Sequence, residues 1–97
     1  MNWFNGDYDA ALSCPICGGE NQHHGRVVVY EREDDASHGL RTIVDGGATQ
    51  TAWIVGNDTD NPSRRRHGMT IQFHCEGGHD WTLTIAQHKG QTLVNWR

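Results

Sequence analysis

The chain has 97 residues, and because only 35% are hydrophobic while 12 are glycine, it can bury no more than one thin core. Its formal net charge of −4 argues against indiscriminate nucleic-acid binding, which needs many Lys and Arg side chains to neutralise phosphates. No apolar run is long enough to span a membrane, and the first residues lack the basic start and apolar segment of a signal peptide. We therefore expect one domain over residues 1–97 in the cytoplasm. In that reducing compartment, the three cysteines predict a metal site rather than disulfides.

The first two thirds of the chain predict a lead-in, three strands and two loops. Residues 1–12 carry scattered apolar residues, and we expect them either to pack back on the domain or to be flexible. Residues 33–40 are charged and favour a loop. Residues 56–68 contain no core residue and predict an exposed, mobile loop. Clusters of β-branched residues predict strands at 25–32, 41–44 and 49–55, the middle one being weakly strand-like.

The C-terminal third alternates apolar and polar residues, which is the periodicity of strands. A turn at His88–Gln91, where Gly90 supplies a positive φ, separates the last two of three predicted strands. The strands are predicted at 69–75, 81–86 and 92–96. The pattern indicates an antiparallel meander with one buried face. The alternating apolar residues are Met69, Ile71, Phe73, Cys75, Trp81, Leu83 and Ile85. No segment of the chain has helical periodicity.

Two short motifs predict one zinc site. Cys14 and Cys17 are separated by two residues, a spacing that lets two thiolates reach one ion at ~2.3 Å. Cys75 and His79 form a second pair, and the glycines in both motifs allow tight turns and amide donation to the sulfurs. Four protein ligands complete a tetrahedral shell, so the site is predicted to be structural. The fold prediction is all-β, a zinc-ribbon-like antiparallel sheet with a β-rich insertion over 18–74 between the knuckles.

Other interpretations of these residues stay open. His23 and His24 lie near the first knuckle and are alternative fourth ligands to His79. His74 adjoins Cys75 but points to the other face of its strand, so it is not expected to share the ion. The Cys-x-x-Cys pair could also be redox-active or a pair of buried thiols, although the βαβ context of thioredoxin-like proteins is absent.

The second motif and its surroundings resemble a known family. Residues 75–81, Cys-Glu-Gly-Gly-His-Asp-Trp, resemble the Cys-x-x-Gly-His-x-Trp half of several zinc-ribbon families. Together with Cys-Pro-Ile-Cys-Gly at 14–18, they are similar to small uncharacterised proteins of actinobacteria and their phages. The resemblance covers residues 14–20 and 71–92. It implies the fold, the metal and a Trp81 packed over the knuckle, but no reaction.

The remaining candidate contacts are one basic run and two tryptophans. Arg64, Arg65 and Arg66 form the only basic run, which either grips phosphates or is a solvated loop. Trp53 and Trp96 lie on predicted strands. The simpler interpretation places both in the core, and the alternative is an exposed aromatic that anchors a partner or stacks on bases.

These features favour a non-enzymatic, zinc-stabilised binding module whose partner is a protein, with nucleic acid bound through Arg64–Arg66 as the second candidate. One alternative is a metal-dependent nuclease or hydrolase that uses His23, His24 or His67, but no acid–base constellation accompanies these histidines. The other is a structural accessory protein of a bacterium or phage that self-associates through exposed edge strands. If a phage encodes it, we expect it in the host cytoplasm.

Overall fold

A computed structural model describes residues 10–97, which form one open antiparallel sheet of six strands and contain no helix. The strands are β1 (Gln22–Glu31), β2 (His38–Asp45), β3 (Ala48–Val55), β4 (Gly68–Cys75), β5 (Asp80–His88) and β6 (Gln91–Trp96). Their spatial order is β3-β2-β1-β4-β5-β6, so the first four strands form a Greek key. The all-β prediction is confirmed. Residues 1–9, most of the predicted lead-in, lie outside the described residues, so the expectation for them stays a prediction.

Tight turns set the register of two hairpins. Gly46 and Gly47 have φ of 58° and 81°, and Lys89 and Gly90 have φ of 49° and 79°. Two successive positive φ angles match a type I′ turn, whose twist suits a two-residue hairpin. β2 begins at His38, inside the predicted loop 33–40, because its first residues pair fully with the end of β3.

Cross-strand pairing shows which side chains share a face, because directly opposed residues of an antiparallel sheet project to the same side. One row crosses five strands and consists of Val44, Val27, Ile71, Leu83 and Trp96. The next row along the strands consists of Val29, Met69, Ile85 and Val94. We call the side that carries these two rows the apolar face, and the other side the covered face.

The covered face is the better buried of the two, contrary to the expectation from the alternating pattern. Its Val28, Tyr30, Thr70 and Thr84 are buried, although two of these are threonines. On the apolar face, Cys75 and Trp81 are buried, but the other five residues of the predicted buried set are only half-buried. The prediction that this apolar side is the buried one is therefore wrong for most of its members.

The segment 56–67 explains this burial. It carries the chain from β3 at one edge to β4 in the middle, so it must cross the sheet. On the way, Arg97 donates a hydrogen bond to the Asp60 carbonyl at 2.9 Å, and Asp58 lies 3.8 Å from the Arg41 guanidinium. Asn61 and Ser63 are buried, so the prediction that the whole of 56–68 is exposed is wrong. Polar side chains fill this layer by hydrogen bonding, which hydrophobicity patterns do not detect.

The hydrophobic core is small and lies at one end of the sheet. Cys14, Cys75 and Trp81 are buried together, and Phe73 stacks on Trp81 with ring centroids 5.0 Å apart. The burial of Trp81 beside the two cysteines agrees with the packing that the zinc-ribbon resemblance implies. The described part of the chain contains no helix that is long and apolar enough to cross a lipid bilayer.

Candidate metal centre

The first knuckle is a turn at residues 14–19, just before β1. Cys14 N donates to the Gly19 carbonyl and Gly18 N donates to the Cys14 carbonyl, both at 2.8 Å. Gly18 has a φ of 79°, which an L side chain adopts only with strain. The Ile16 amide points at the Cys14 sulfur at 3.4 Å. The local sequence therefore wraps the backbone around its own sulfur, as the motif predicts.

The second knuckle repeats this geometry in the β4–β5 turn. Cys75 N donates to the His79 carbonyl and Gly78 N donates to the Cys75 carbonyl, both at 2.8 Å. The Gly77 amide donates to the Cys75 sulfur at 3.3 Å, again two residues after the cysteine. Amide donation of this kind stabilises thiolates and orients them as metal ligands.

The β1–β4 pairing brings the two knuckles together, because Gln22 at the start of β1 lies opposite Cys75 at the end of β4. Donor atoms of the four predicted ligands, three sulfurs and one imidazole nitrogen, all lie within 4.8 Å of one another. The sulfurs of Cys17 and Cys75 are 3.5 Å apart. Four donors at ~2.0–2.3 Å from a shared tetrahedral ion require separations of this order. Cys14, Cys17, Cys75 and His79 thus lie close enough to bind one metal ion.

Two glycines leave room beside the donors. A methyl group at Gly77 would lie 3.4 Å from the Cys75 sulfur, 3.6 Å from the Cys17 sulfur and 3.7 Å from His79 Nδ1. At Gly19 it would lie 3.5 Å from the Cys17 sulfur and 3.7 Å from that of Cys75. The three atoms near Gly77 therefore converge, with Nδ1 as the donor atom of His79 that faces the sulfurs.

The chemistry of the donors fits a metal. His79 Nδ1 is buried and has no hydrogen-bond partner among residues 10–97, a costly state for a polar atom unless a cation binds it. The Gln22 side chain, the Gly77 amide and His79 lower the pKa of the Cys75 thiol to about 6, against the opposing effect of burial. These contacts therefore favour the thiolate of Cys75, the form that binds metal.

Gln22 is a supporting residue that sequence analysis missed. Its Nε2 donates to the Gly19 carbonyl at 2.9 Å, and its Oε1 accepts from the Trp81 indole Nε1 at 2.8 Å. It therefore ties the first knuckle to the strand that follows the second. Nothing in the local sequence marks this residue, since its role arises from the register that places it opposite Cys75.

The rival histidines do not join the cluster. His23 lies 3.5 Å from the Glu76 carboxylate, and the His74 imidazole bonds to Asp80 at 2.7 Å, with both side chains of that pair exposed. His24 is also exposed, on β1 rather than in a loop. His67 Nδ1 accepts a hydrogen bond from Arg32 N at 2.9 Å, which is a structural contact. Among the described residues, the Cys14 cluster is the one group of three or more such side chains placed to hold a metal.

The candidate partner contacts, two tryptophans and the basic run, lie on opposite sides of the sheet. Trp53 is 69% exposed and Trp96 is 49% exposed, so the core interpretation is wrong for both. Trp53 pairs with Leu40 and stacks on His38 with ring centroids 6.4 Å apart, and it lies on the apolar face, as Trp96 does. The two tryptophans therefore mark opposite margins of one surface.

The basic run lies in the segment across the other side. Arg65 Nε donates to both Asp35 carboxylate oxygens at 3.0 Å and lies 3.7 Å from Asp34. This hydrogen bonding, with the charge of Arg65, holds the pKa of Asp35 below its ordinary value. Arg66 is half-buried, and Arg64 is exposed. The run thus offers less positive charge to a phosphate than its sequence suggests.

Protein-family models, curated proteins and solved structures were all compared with the chain, and none matches it. The resemblance to zinc-ribbon proteins of actinobacteria and phages stays a prediction.

Proposed function

We propose that the chain is a non-enzymatic, zinc-stabilised binding module with a zinc-ribbon-like metal site. In this proposal Cys14, Cys17, Cys75 and His79 hold one structural zinc ion. The observation that carries it is the convergence of four such donor atoms within 4.8 Å. The buried Nδ1 of His79, which has no hydrogen-bond partner within residues 10–97, faces the sulfurs and supports the same conclusion.

A structural role follows from the donor set. Three sulfurs and one nitrogen fill a tetrahedral shell, so no coordination position is left for a substrate. Zinc in such a site contributes its binding free energy, ~10–16 kcal/mol in small zinc-finger peptides, to folding. A domain of this size has a total stability of only ~5–15 kcal/mol. With a core as small as that around Trp81, the metal supplies a stabilisation that packing alone does not.

The proposed partner is a protein rather than a nucleic acid. The exposed aromatic residues, Trp53 and Trp96, share the apolar face, and aromatic residues are enriched where proteins bind one another. The Arg64–Arg66 run lies elsewhere and is partly neutralised by Asp34 and Asp35. The net charge of −4 also opposes phosphate binding.

Metal removal tests this function. Treatment with a strong chelator should abolish the far-UV circular dichroism of the folded sheet, and added zinc should restore it. Cys75→Ala should be unfolded with or without zinc, while Glu76→Ala, one residue away on the exposed side of the same turn, should fold and retain zinc. A fold that survives complete chelation would contradict the structural role.

A further inference from the structure

The middle of the apolar face is not covered by any described part of the chain. All packing between strands in residues 10–97 is between sheet neighbours, so no second layer of strands lies on this face. Two connecting segments, 10–15 and 33–37, reach only its opposite ends, near Trp96 and Trp53 respectively. The crossing segment 56–67 lies on the other side. The face that the alternating sequence predicts to be buried is therefore the face that residues 10–97 leave open.

The composition of this face explains what can cover it. Neither of its two main rows contains a charged side chain. The first, Val44-Val27-Ile71-Leu83-Trp96, is aliphatic with one aromatic end. The second, Val29-Met69-Ile85-Val94, continues into Thr42 and Thr51. Since the rows carry no charge pattern to select a charged partner, burial of apolar area is the main interaction that the face offers.

From this we infer that the occupant is a second copy of this chain, and that two sheets pack through their apolar faces into a symmetric β-sandwich dimer. The inference deepens the proposed function, because the second copy is then the protein partner that contacts Trp53 and Trp96. It also rests on that function, because the metal site must hold the sheet folded. An open antiparallel sheet with one apolar side packs on another sheet about 10 Å away, with strands nearly aligned. A two-fold axis matches each surface with itself, so the two uncharged rows are complementary to their own copies, with the one charged neighbour among the strand pairs, Glu31, at the margin beside Leu40.

The size of the face is sufficient for such a contact. With strands about 4.8 Å apart and same-face residues about 6.8 Å apart, two rows over five strands cover roughly 330 Å² in projection. Five further residues on this side extend the area to roughly 500 Å², namely Thr49, Thr51, Leu40, Trp53 and Phe73. Two copies would then bury about 1,000 Å² in total, which is the lower limit for a specific interface. A reversible dimer that forms at micromolar or higher concentration is therefore expected.

β6 offers a matched pair of residues for the test. Val94 and Leu93 are neighbours with exposures of 47% and 45%, yet Val94 pairs with Ile85 on the apolar face and Leu93 with Ala86 on the other. The test variant is Val44→Glu with Val94→Glu, both at exposed positions of the apolar face. The control is Ala52→Glu with Leu93→Glu, which adds the same charge to the opposite face.

Sedimentation equilibrium of the full zinc-loaded chain, with zinc measured in every sample, gives the result. The unsubstituted chain and the control should reach twice the 10.9 kDa chain mass on concentration. The test variant should stay at 10.9 kDa with the same zinc content and circular dichroism. The single Val94→Glu, at an edge strand, should fold even if the double variant does not, and should raise the dimer dissociation constant at least tenfold.

A chain that stays monomeric at every concentration while holding zinc would overturn the dimer and leave the metal site intact. Equal loss of dimer in the test and control variants would also overturn it. A chain without zinc that still dimerises would instead contradict the proposed metal site, so the two failures are distinguishable.

Discussion

Gln22 and Trp81 are joined by a 2.8 Å hydrogen bond from the indole Nε1 to the amide oxygen, although they lie 59 residues apart in the chain. The same glutamine donates to the Gly19 carbonyl and pairs opposite Cys75, whose thiol pKa its side chain lowers. One side chain thus links the first knuckle to the small core and lies beside the second knuckle. It holds the site at one end of the central strand pair, where β1 begins and β4 ends.

Gln22→Ala should weaken zinc binding by about 10- to 100-fold, the effect typical of removing a residue that supports metal ligands. The fold should persist when zinc is in excess. Competition with a chromophoric chelator measures the affinity. Gln72→Ala is the control, because Gln72 is exposed on β4 and makes no side-chain hydrogen bond within residues 10–97. Equal affinities for the two variants would show that Gln22 does not support the ligands.

His79 should be replaceable only by another metal ligand. His79→Ala removes the one nitrogen donor and should abolish stoichiometric zinc binding, whereas His79→Cys should retain it as a four-thiolate site. His23→Ala and His24→Ala should bind zinc like the unsubstituted chain, because neither joins the cluster. Titration with cobalt, followed by its ligand-field absorption, compares the four variants with the unsubstituted chain. Loss of the metal in a His23 or His24 variant would mean that the fourth ligand is misassigned.

Gly68→Ala should destabilise the zinc-loaded protein by about 1–3 kcal/mol, the usual cost of overpacking. An added methyl group at this position would collide with the Asn61 amide oxygen and come within 3.0 Å of the Pro62 ring. Asn61 is buried and accepts a hydrogen bond from Ser63 N, so it cannot easily move. Urea denaturation measures the difference.

Gly25→Ala is the control for that substitution. Gly25 is also a strand glycine without a positive φ, but its nearest neighbour to an added methyl group is the Gln72 carbonyl at 4.0 Å. The free energy of unfolding of the Gly25→Ala variant should stay within about 0.5 kcal/mol of that of the unsubstituted chain or rise slightly, because alanine restricts the unfolded chain. Equal losses at both positions would show that the crossing segment does not pack on Gly68.

Nucleic acid should not bind appreciably. With Arg65 held by Asp34 and Asp35, a gel-shift titration at low salt should give no complex with DNA or RNA at micromolar protein. A complex that forms with the unsubstituted chain and disappears when Arg64, Arg65 and Arg66 are changed to serine would reverse the assignment of the partner.

Local sequence patterns predicted the strands, and they also singled out four side chains that lie close enough to bind one metal ion. The Cys-x-x-Cys and Cys-x-x-x-His spacings fix backbone turns within six residues, so Cys14, Cys17, Cys75 and His79 could be chosen before their distances were known. The strand over 69–75 begins within one residue of β4, because its alternation is strict.

Properties that depend on register and on polar packing could not be predicted. Gln22 becomes part of the site only through its pairing opposite Cys75. Asn61 and Ser63 become buried through hydrogen bonds to the backbone, and hydrophobicity gives no sign of this. Trp53 and Trp96 are exposed because the layer over the sheet forms on the opposite side.

The coordination shell of the bound metal tests the central claim most directly. Zinc K-edge X-ray absorption of the purified chain should show one zinc per chain with three sulfurs at ~2.3 Å and one imidazole nitrogen at ~2.0 Å. A chain that purifies and folds without zinc, or a zinc shell with fewer than three sulfurs, would contradict the assignment of Cys14, Cys17, Cys75 and His79 as its structural site.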